Sequence, residues 1–177
     1  VVHNDEAVYL DGFGEREVGT NDLVGPDTVF QIASVSKPVS STIVAAAVSS
    51  GAVSWDTRLV EILPGFLLSD PWVTSHVTIA DLFSHRSGLP DHVGDDLEDL
   101  GGTREQVLEA LRYIDLVGEF RDSYAYTNFG LTAAAEGVAH AMGMEWHELG
   151  EQLLFVPAGM TQTRFLHSDL ISREDRA

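Results

Sequence analysis

One segment of the sequence, residues 34–51, strongly limits how the chain can fold. It reads SVSKPVSSTIVAAAVSSG, and its run of Ala, Val and Ile residues is typical of a closely packed helix. Pro38 has no backbone N–H and is tolerated only in or near the first turn of a helix, so this helix must begin close to Ser34. Gly51 is well placed to end it. The sequence therefore predicts a helix whose N-terminus carries Ser34 and Lys37.

The spacing of Ser34 and Lys37 has a chemical meaning. Residues three positions apart lie on the same face of a helix. A serine hydroxyl is a weak nucleophile at neutral pH and needs an adjacent base to accept its proton. A lysine amine can be that base where its surroundings favour the neutral form, whereas arginine stays protonated. Among ten Lys+Arg residues Lys37 is the only lysine, and the need for a proton acceptor explains its presence.

The rest of the chain divides into a short strand-like part and a long helical part. Residues 6–18 carry apolar side chains around two glycines and predict one or two strands, so that residues 1–30 supply edge strands of a sheet. Residues 31–177 are predicted to be mainly helical. The helix signals there are Thr78 as an N-cap with Asp81, a capping box at Thr103 and Gln106, and helical patterns over 128–142 and 145–155.

A second motif, Tyr126-Thr-Asn128, stands at the predicted start of a later helix. The pair Ser34-x-x-Lys37 and Tyr126-x-Asn128 resembles the motifs of the serine β-lactamase and penicillin-binding-protein superfamily. The most similar branch contains class C β-lactamases, DD-peptidases and esterases. The segments FQIASVSK, TIADLFSHRSGLP and YTNFGLTAAAEGVAHAMG are also similar to stretches of that family and occur in the same order. The resemblance covers nearly the whole chain.

This resemblance implies both a fold and a set of roles. The implied fold is α/β (α+β), with a helical subdomain packed on an antiparallel sheet, and residues 1–177 would be the N-terminal part of one catalytic domain. Ser34 would be the acylated nucleophile, and its backbone N–H would form half of an oxyanion hole. Lys37 would activate Ser34, and Tyr126 would relay the proton to the leaving group. Asn128 would hold the substrate amide and steady Lys37. Neither a metal nor an organic cofactor is implied.

The third motif of the family is not in its expected place. That motif is Lys-Thr-Gly or His-x-Gly on a strand beside the site, and the single lysine is already used. The formal match at His92-Val93-Gly94 precedes Tyr126, which is the wrong order for the family. Ala177 lies about where the strand-rich second half of the family begins. We therefore expect the remaining strands of the domain downstream of Ala177, and an incomplete site in the isolated segment.

The charge of the chain limits its partners. There are 28 Asp+Glu against 10 Lys+Arg, a formal net charge of -18. Nucleic acid and anionic membranes are disfavoured, because binding phosphates requires clustered cations. No apolar run approaches the length of a membrane span. The expected partner is a small-molecule or peptide substrate. An acidic surface with almost no lysine fits either adaptation to high salt or an arginine-preferring source. No signal peptide is visible, and the compartment, cytoplasmic or secreted/periplasmic, stays open.

A polar cluster before the tyrosine motif has two interpretations. Its members are His85, Asp91, His92, Asp95 and Asp96. They could suggest a metal site, but their spacing is not that of ligands fixed on regular structure, and the chain has no cysteine. We therefore expect solvated loop residues and no metal.

Two functional hypotheses follow from these patterns. The first is a serine hydrolase that forms an acyl-enzyme on Ser34, with Lys37 and Tyr126 as the base, and acts on an ester, an amide or D-amino peptide, or a β-lactam. The second is a non-catalytic or incomplete module of the same fold that binds a ligand or partner without turnover. The retained lysine favours the first hypothesis, and the missing third motif favours the second for the isolated segment.

Overall fold

The computed structural model describes residues 1–177. The chain begins with a small antiparallel hairpin, in which β1 (Val2–His3) pairs with β2 (Glu6–Ala7). The strand prediction for residues 6–18 holds only at Glu6–Ala7. Residues 8–13 have no paired strand, and a strand persists only where a neighbour completes its hydrogen-bond ladder. Their apolar side chains, such as Leu10 and Phe13, are largely exposed.

Nine α-helices make up most of the remaining regular secondary structure. They are α1 (Ser36–Ser49), α2 (Leu59–Ile62), α3 (Pro71–His76), α4 (Ile79–Phe83), α5 (Asp95–Asp99), α6 (Arg104–Ala110), α7 (Asn128–Met142), α8 (Trp146–Gly150) and α9 (His167–Ile171). Short 3-10 turns cover Ala33–Val35 and Leu111–Tyr113, and a π-helical turn at Glu151–Phe155 continues α8. All the regular elements in residues 31–177 are thus helical.

The helix that carries the serine motif forms as the sequence predicts. A 3-10 turn over Ala33–Val35 leads directly into α1, and Pro38 lies in the first turn of that helix. Gly51 follows the helix with a φ of 79°, a left-handed conformation that glycine adopts without steric cost. Ile43, Val44 and Ala47 are fully buried, so one face of α1 belongs to the core.

The other local helix signals are also confirmed. Both capping boxes form, at Thr78 with Asp81 and at Thr103 with Gln106. Each threonine side chain accepts a hydrogen bond from the third residue of its helix, which fixes where α4 and α6 begin.

Helix α7 is the centre of the hydrophobic core. It packs against α1, α2, α4, α6 and α8. Several of its buried side chains are alanines, and small side chains let the neighbouring helices approach closely. Since α1 and α7 are in contact, the sequence motifs at their N-termini come together at one edge of the core. The helices include none that is both long and apolar enough to cross a membrane.

Candidate active site

The N-terminal turn before α1 exposes the predicted nucleophile. Ser34 lies in the 3-10 turn and is accessible to solvent, and Lys37 follows one turn later. The Lys37 ammonium donates a hydrogen bond to the Ser34 hydroxyl oxygen at 3.3 Å. The Ser34 backbone N–H has no acceptor in the protein, as expected for a donor at a helix start. Ala33 has a φ of 44°, so a strained left-handed residue immediately precedes the serine.

Tyr126 lies directly against this pair. Its phenol oxygen shares a hydrogen bond with the Ser34 hydroxyl oxygen at 2.6 Å, and the Lys37 nitrogen lies 4.5 Å from the centre of its ring. The Lys37 ammonium and the Ser34 hydroxyl lower the pKa of the Tyr126 phenol, against the opposing effects of burial and of the charge on Asp95. The arrangement thus favours a phenol that can give up and regain a proton.

Asn128 completes the group of four predicted residues. Its side-chain oxygen accepts a hydrogen bond from the Lys37 ammonium at 2.6 Å, shorter than the contact between Lys37 and Ser34. Its side-chain nitrogen donates to the two carboxylate oxygens of Asp95, at 3.1 and 3.0 Å. The structure therefore brings Ser34, Lys37, Tyr126 and Asn128 into one connected hydrogen-bond network, and protein groups contact both ends of the Asn128 amide.

His85 holds the segment that carries Tyr126 in place through two hydrogen bonds. It is buried, with 8% of its surface exposed, and its φ of 59° is left-handed. Its carbonyl oxygen accepts a hydrogen bond from the N–H of Ala125, and its ring nitrogen Nδ1 accepts one from the N–H of Thr127. Burial and the nearby charge of Lys37 lower the pKa of His85, which favours the neutral ring that this acceptor role requires.

His92 and Asp95 form the other side of the network. The backbone N–H of His92 donates to the carbonyl oxygen of Tyr126 at 2.7 Å. Its ring nitrogen Nδ1 lies 2.8 Å from Asp95, and this hydrogen bond raises the pKa of His92. His92 and Gly94 belong to a turn that leads into α5, whereas the family's third motif lies on a strand. The turn nonetheless contacts the proposed catalytic tyrosine.

The interpretation of the polar cluster as solvated loop residues is wrong for His85 and Asp95. His85 is buried against the tyrosine segment, and Asp95 hydrogen bonds to Asn128. Asp91 and Asp96 are exposed, as expected. No group of three or more His, Cys, Asp or Glu side chains is arranged to hold a metal ion. The contacts of His85 and Asp95 depend on left-handed turns and distant packing, for which the local sequence has no recognisable signal.

An ion pair holds the loop before Tyr126 against α4. Arg121 donates two hydrogen bonds to the carboxylate of Asp81, both at 2.9 Å, and a third to the carbonyl oxygen of His76. Burial raises the pKa of Asp81, but hydrogen bonds from Arg121 and Thr78 outweigh this effect and hold it below the ordinary value. Asp81 thus serves both as a helix cap and as the anchor of the loop.

A cleft opens beside the four residues. It has a volume of about 610 Å³, and Ser34, Lys37 and Asn128 form part of its wall. It is also lined by Trp146 and by an ion pair, Arg104 with Glu136. Clefts of this size accommodate small organic ligands and short peptides. Ser34 therefore lies in the wall of a cavity large enough to hold a substrate.

Comparison with known proteins gives consistent matches along the whole chain. The family model described as Beta-lactamase matches residues 1–176. Penicillin-binding protein 4 of Amycolatopsis lactamdurans is 30% identical over 177 residues, covering 93% of this chain and 45% of that protein. The Unguisins hydrolase ungD of Aspergillus violaceofuscus is 25% identical over 182 residues, covering 98% of this chain and 32% of that protein.

A solved structure shows the same fold. The octameric penicillin-binding protein homologue from Pyrococcus abyssi superposes with a TM-score of 0.80 at 22% identity, covering 96% of this chain and 40% of that one. The chain spans less than half the length of each of these three proteins. The fold implied by the family resemblance is confirmed by this similarity, and residues 1–177 form a helix-rich part of it with a small two-stranded antiparallel sheet.

Proposed function

The chain belongs to the beta-lactamase family, and from this premise we propose that it is the nucleophile-bearing part of a serine hydrolase in which Ser34 is acylated. One observation carries the proposal: the Ser34 hydroxyl lies 2.6 Å from the Tyr126 phenol and 3.3 Å from the Lys37 ammonium nitrogen. A serine needs an adjacent group to accept its proton before it can attack a carbonyl carbon, and this pair stands at the required distance.

Acylation proceeds in two bond changes. The Ser34 oxygen forms a bond to the carbonyl carbon of the substrate. Its proton passes to the pair of Tyr126 and Lys37, which can accept it once the pair has lost one proton, either as a phenolate beside the ammonium or as a phenol beside the neutral amine. The tetrahedral intermediate then collapses, the bond to the leaving group breaks, and the Tyr126 phenol returns the proton to that group. The free N–H of Ser34 supplies one hydrogen bond to the developing oxyanion. Attack by water on the acyl-Ser34 then releases a carboxylic acid and restores the hydroxyl.

The substrate is an acyl compound, that is, an ester, an amide or D-amino peptide, or a β-lactam. One nucleophile and one base serve all of these, and selection among them depends on the walls of the cleft. A relative named for penicillin binding supports a penicillin as the first acyl donor to try. The remainder of the domain, with the third motif and a second oxyanion donor, is proposed to lie downstream of Ala177.

The second candidate is a non-catalytic or incomplete module that keeps the fold and binds without turnover. It is favoured by one observation, the lack of a His-x-Gly or Lys-Thr-Gly motif on a strand in residues 1–177. The two candidates differ in whether Ser34 becomes covalently modified.

Covalent labelling tests the proposal. The chain is incubated with a fluorescent penicillin and with a fluorophosphonate, and the adduct is measured by intact mass. We expect one adduct, its loss in Ser34→Ala, and strong reduction in Lys37→Arg, which cannot accept a proton. Ser36→Ala is the matched control, because Ser36 is the first residue of α1, two positions after Ser34, and is exposed. An adduct that persists in Ser34→Ala would contradict the assignment of the nucleophile.

An unlabelled wild-type chain would favour the non-catalytic candidate. Labelling of a longer form of the protein, but not of residues 1–177, would instead show that the chemistry requires groups outside this segment. The penicillin and the fluorophosphonate differ in shape. If only one of them labels the chain, the result indicates which substrate shape the cleft accepts, and Ser34 remains assigned as the nucleophile.

A further inference from the structure

We propose that Asp95 is a positioning residue for the reaction proposed above: its carboxylate holds the Asn128 amide in the one orientation that presents the amide oxygen to Lys37. This inference rests on the proposed function for its consequence, but the contact itself can be tested without any turnover. Asp95 belongs to none of the sequence motifs of the site.

The argument begins with the two ends of the Asn128 amide. The oxygen accepts a hydrogen bond from Lys37 at 2.6 Å, and the nitrogen donates to both carboxylate oxygens of Asp95 at 3.1 and 3.0 Å. An ionised carboxylate can only accept hydrogen bonds, and an ammonium can only donate them. Asp95 therefore pairs with the nitrogen end alone, and Lys37 pairs with the oxygen end alone. If the Asn128 amide rotated by about 180°, its nitrogen would face the Lys37 ammonium, donor against donor. Its oxygen would face the Asp95 carboxylate, acceptor against acceptor.

The position of Asp95 is itself fixed by its surroundings. It is the first residue of α5 and follows Gly94, whose φ is 92°. A side chain at Gly94 would meet Val107 at 2.5 Å and Phe129 at 2.8 Å, so the turn lies directly against the core. His92 holds the carboxylate from the outer side through its ring nitrogen. The carboxylate of Asp95 thus faces Asn128 because a turn that packs against the core at Gly94 directs it there.

The consequence for the reaction concerns the location of the Lys37 ammonium. Two acceptors contact it, the Asn128 oxygen at 2.6 Å and the Ser34 oxygen at 3.3 Å. The shorter of these depends on the amide orientation that Asp95 selects. Without Asp95 the Asn128 amide can rotate by about 180°, and Lys37 then loses the hydrogen bond to the Asn128 oxygen that keeps it beside Ser34. We therefore expect Asp95 to influence the rate of acylation although it touches neither the substrate nor the serine.

Kinetics of covalent labelling test this consequence. Asp95→Ala should slow acylation about tenfold to hundredfold, because the Asn128 side-chain nitrogen is left without an acceptor. Asp95→Asn keeps an oxygen acceptor and should stay within about threefold of the wild type. Asp96→Ala is the matched control, because Asp96 is the next residue of α5, carries the same charge and is exposed. Equal losses in Asp95→Ala and Asp96→Ala would overturn the proposal and indicate a general effect of charge.

A double-mutant cycle shows whether Asp95 acts through Asn128. In an Asn128→Ala background, Asp95→Ala should change the labelling rate by less than about twofold, because the group that it positions has been removed. Full additivity of the two substitutions would contradict the proposed route. Thermal unfolding of each variant checks that the fold is intact, and the comparison with Asp95→Asn stays valid if Asp95→Ala is unstable.

A spectroscopic measurement tests the contact independently of activity. The chain has three asparagines, Asn4, Asn21 and Asn128. Labelling only the asparagine side-chain amides with ¹⁵N therefore gives three nitrogen signals. The Asn128 signal is assigned by its loss in Asn128→Ala. Asp95→Ala should shift that signal and speed its hydrogen exchange, and Asp96→Ala should leave it in place. If Asp95→Ala leaves the signal unmoved, the proposal is wrong even if Ser34 is acylated. If the signal moves and Ser34 is never acylated, only the proposed function fails.

Discussion

The Ser34 hydroxyl and the Tyr126 phenol share a 2.6 Å hydrogen bond across 92 positions of sequence. The contact exists because both residues stand at the starts of helices, α1 and α7, that pack against each other in the core. A 3-10 turn positions Ser34, and backbone hydrogen bonds to His85 and His92 position the segment of Tyr126. The two segments meet because the helices behind them pack together. The geometry of the site is therefore a property of the helical core.

The first prediction concerns the phenol of Tyr126. Tyr126→Phe removes the hydroxyl that shares the proton of Ser34, and we expect labelling by a penicillin or fluorophosphonate to slow about 10²-fold to 10⁴-fold, the usual contribution of a positioned acid or base. Tyr124→Phe is the control, because that side chain is 67% exposed. A Tyr126→Phe chain labelled at the wild-type rate would exclude the phenol from proton transfer.

The second prediction concerns His85 and pH. Its folded-state pKa lies below the ordinary value of 6.5, so its stabilising contribution is present above that value and is lost as the pH falls through the folded-state pKa. His85→Gln should remove this dependence. The free energy of unfolding, measured by denaturant at about pH 7.5 and about pH 5, should therefore fall more in the wild type than in the variant. Equal decreases would contradict the prediction. The comparison with a variant is needed because His92, whose pKa is raised, acts in the opposite direction.

The third prediction concerns the ion pair between Asp81 and Arg121. Asp81→Asn should lower the free energy of unfolding at neutral pH by about 2 kcal/mol, since a buried charged acceptor is lost. The lowered pKa of Asp81 means that this stabilisation is present above about 3.8 and disappears as the pH falls through the folded-state value. The wild type and variant should thus converge in acid. Glu61→Gln, which breaks the exposed pair with Arg58, is the control and should cost less than about 1 kcal/mol.

The fourth prediction compares two glycines with nearly the same backbone conformation. Gly94 and Gly101 have φ values of 92° and 90°, but only Gly94 lies against the core. Alanine at either position is strained by about 1 kcal/mol or more. Gly94→Ala should cost a further 1–3 kcal/mol or so, because its side chain would overlap Val107 and Phe129. Denaturant unfolding of the two variants measures the difference, and equal losses would show that packing at Gly94 is unimportant.

Much of the helical framework could be predicted because its signals are local. Pro38 and Gly51 mark the ends of α1, and Thr78 and Thr103 mark the starts of two others through capping bonds to nearby residues. The meeting of the serine and tyrosine motifs was not predictable from spacing. It was expected from the resemblance to a family, since it depends on which helices pack together.

The errors have a common physical origin. Residues 8–13 have strand-like composition, but a strand also requires a partner, which local sequence does not specify. His85 and Asp95 are polar residues in a loop, and solvent is the usual environment of such residues. Their inward contacts depend on left-handed backbone at His85 and Gly94 and on the packing of distant helices. Such contacts become visible only in three dimensions.

Lys37 is the only lysine of the chain, and it lies between the serine and the asparagine of the site. A sample grown with isotope-labelled lysine would therefore give a single side-chain resonance, without any assignment experiment. That one signal would report how the amine ionises, whether an acyl group has reached the serine, and how each substitution disturbs the site. The restriction to one lysine makes the reaction centre its own spectroscopic probe.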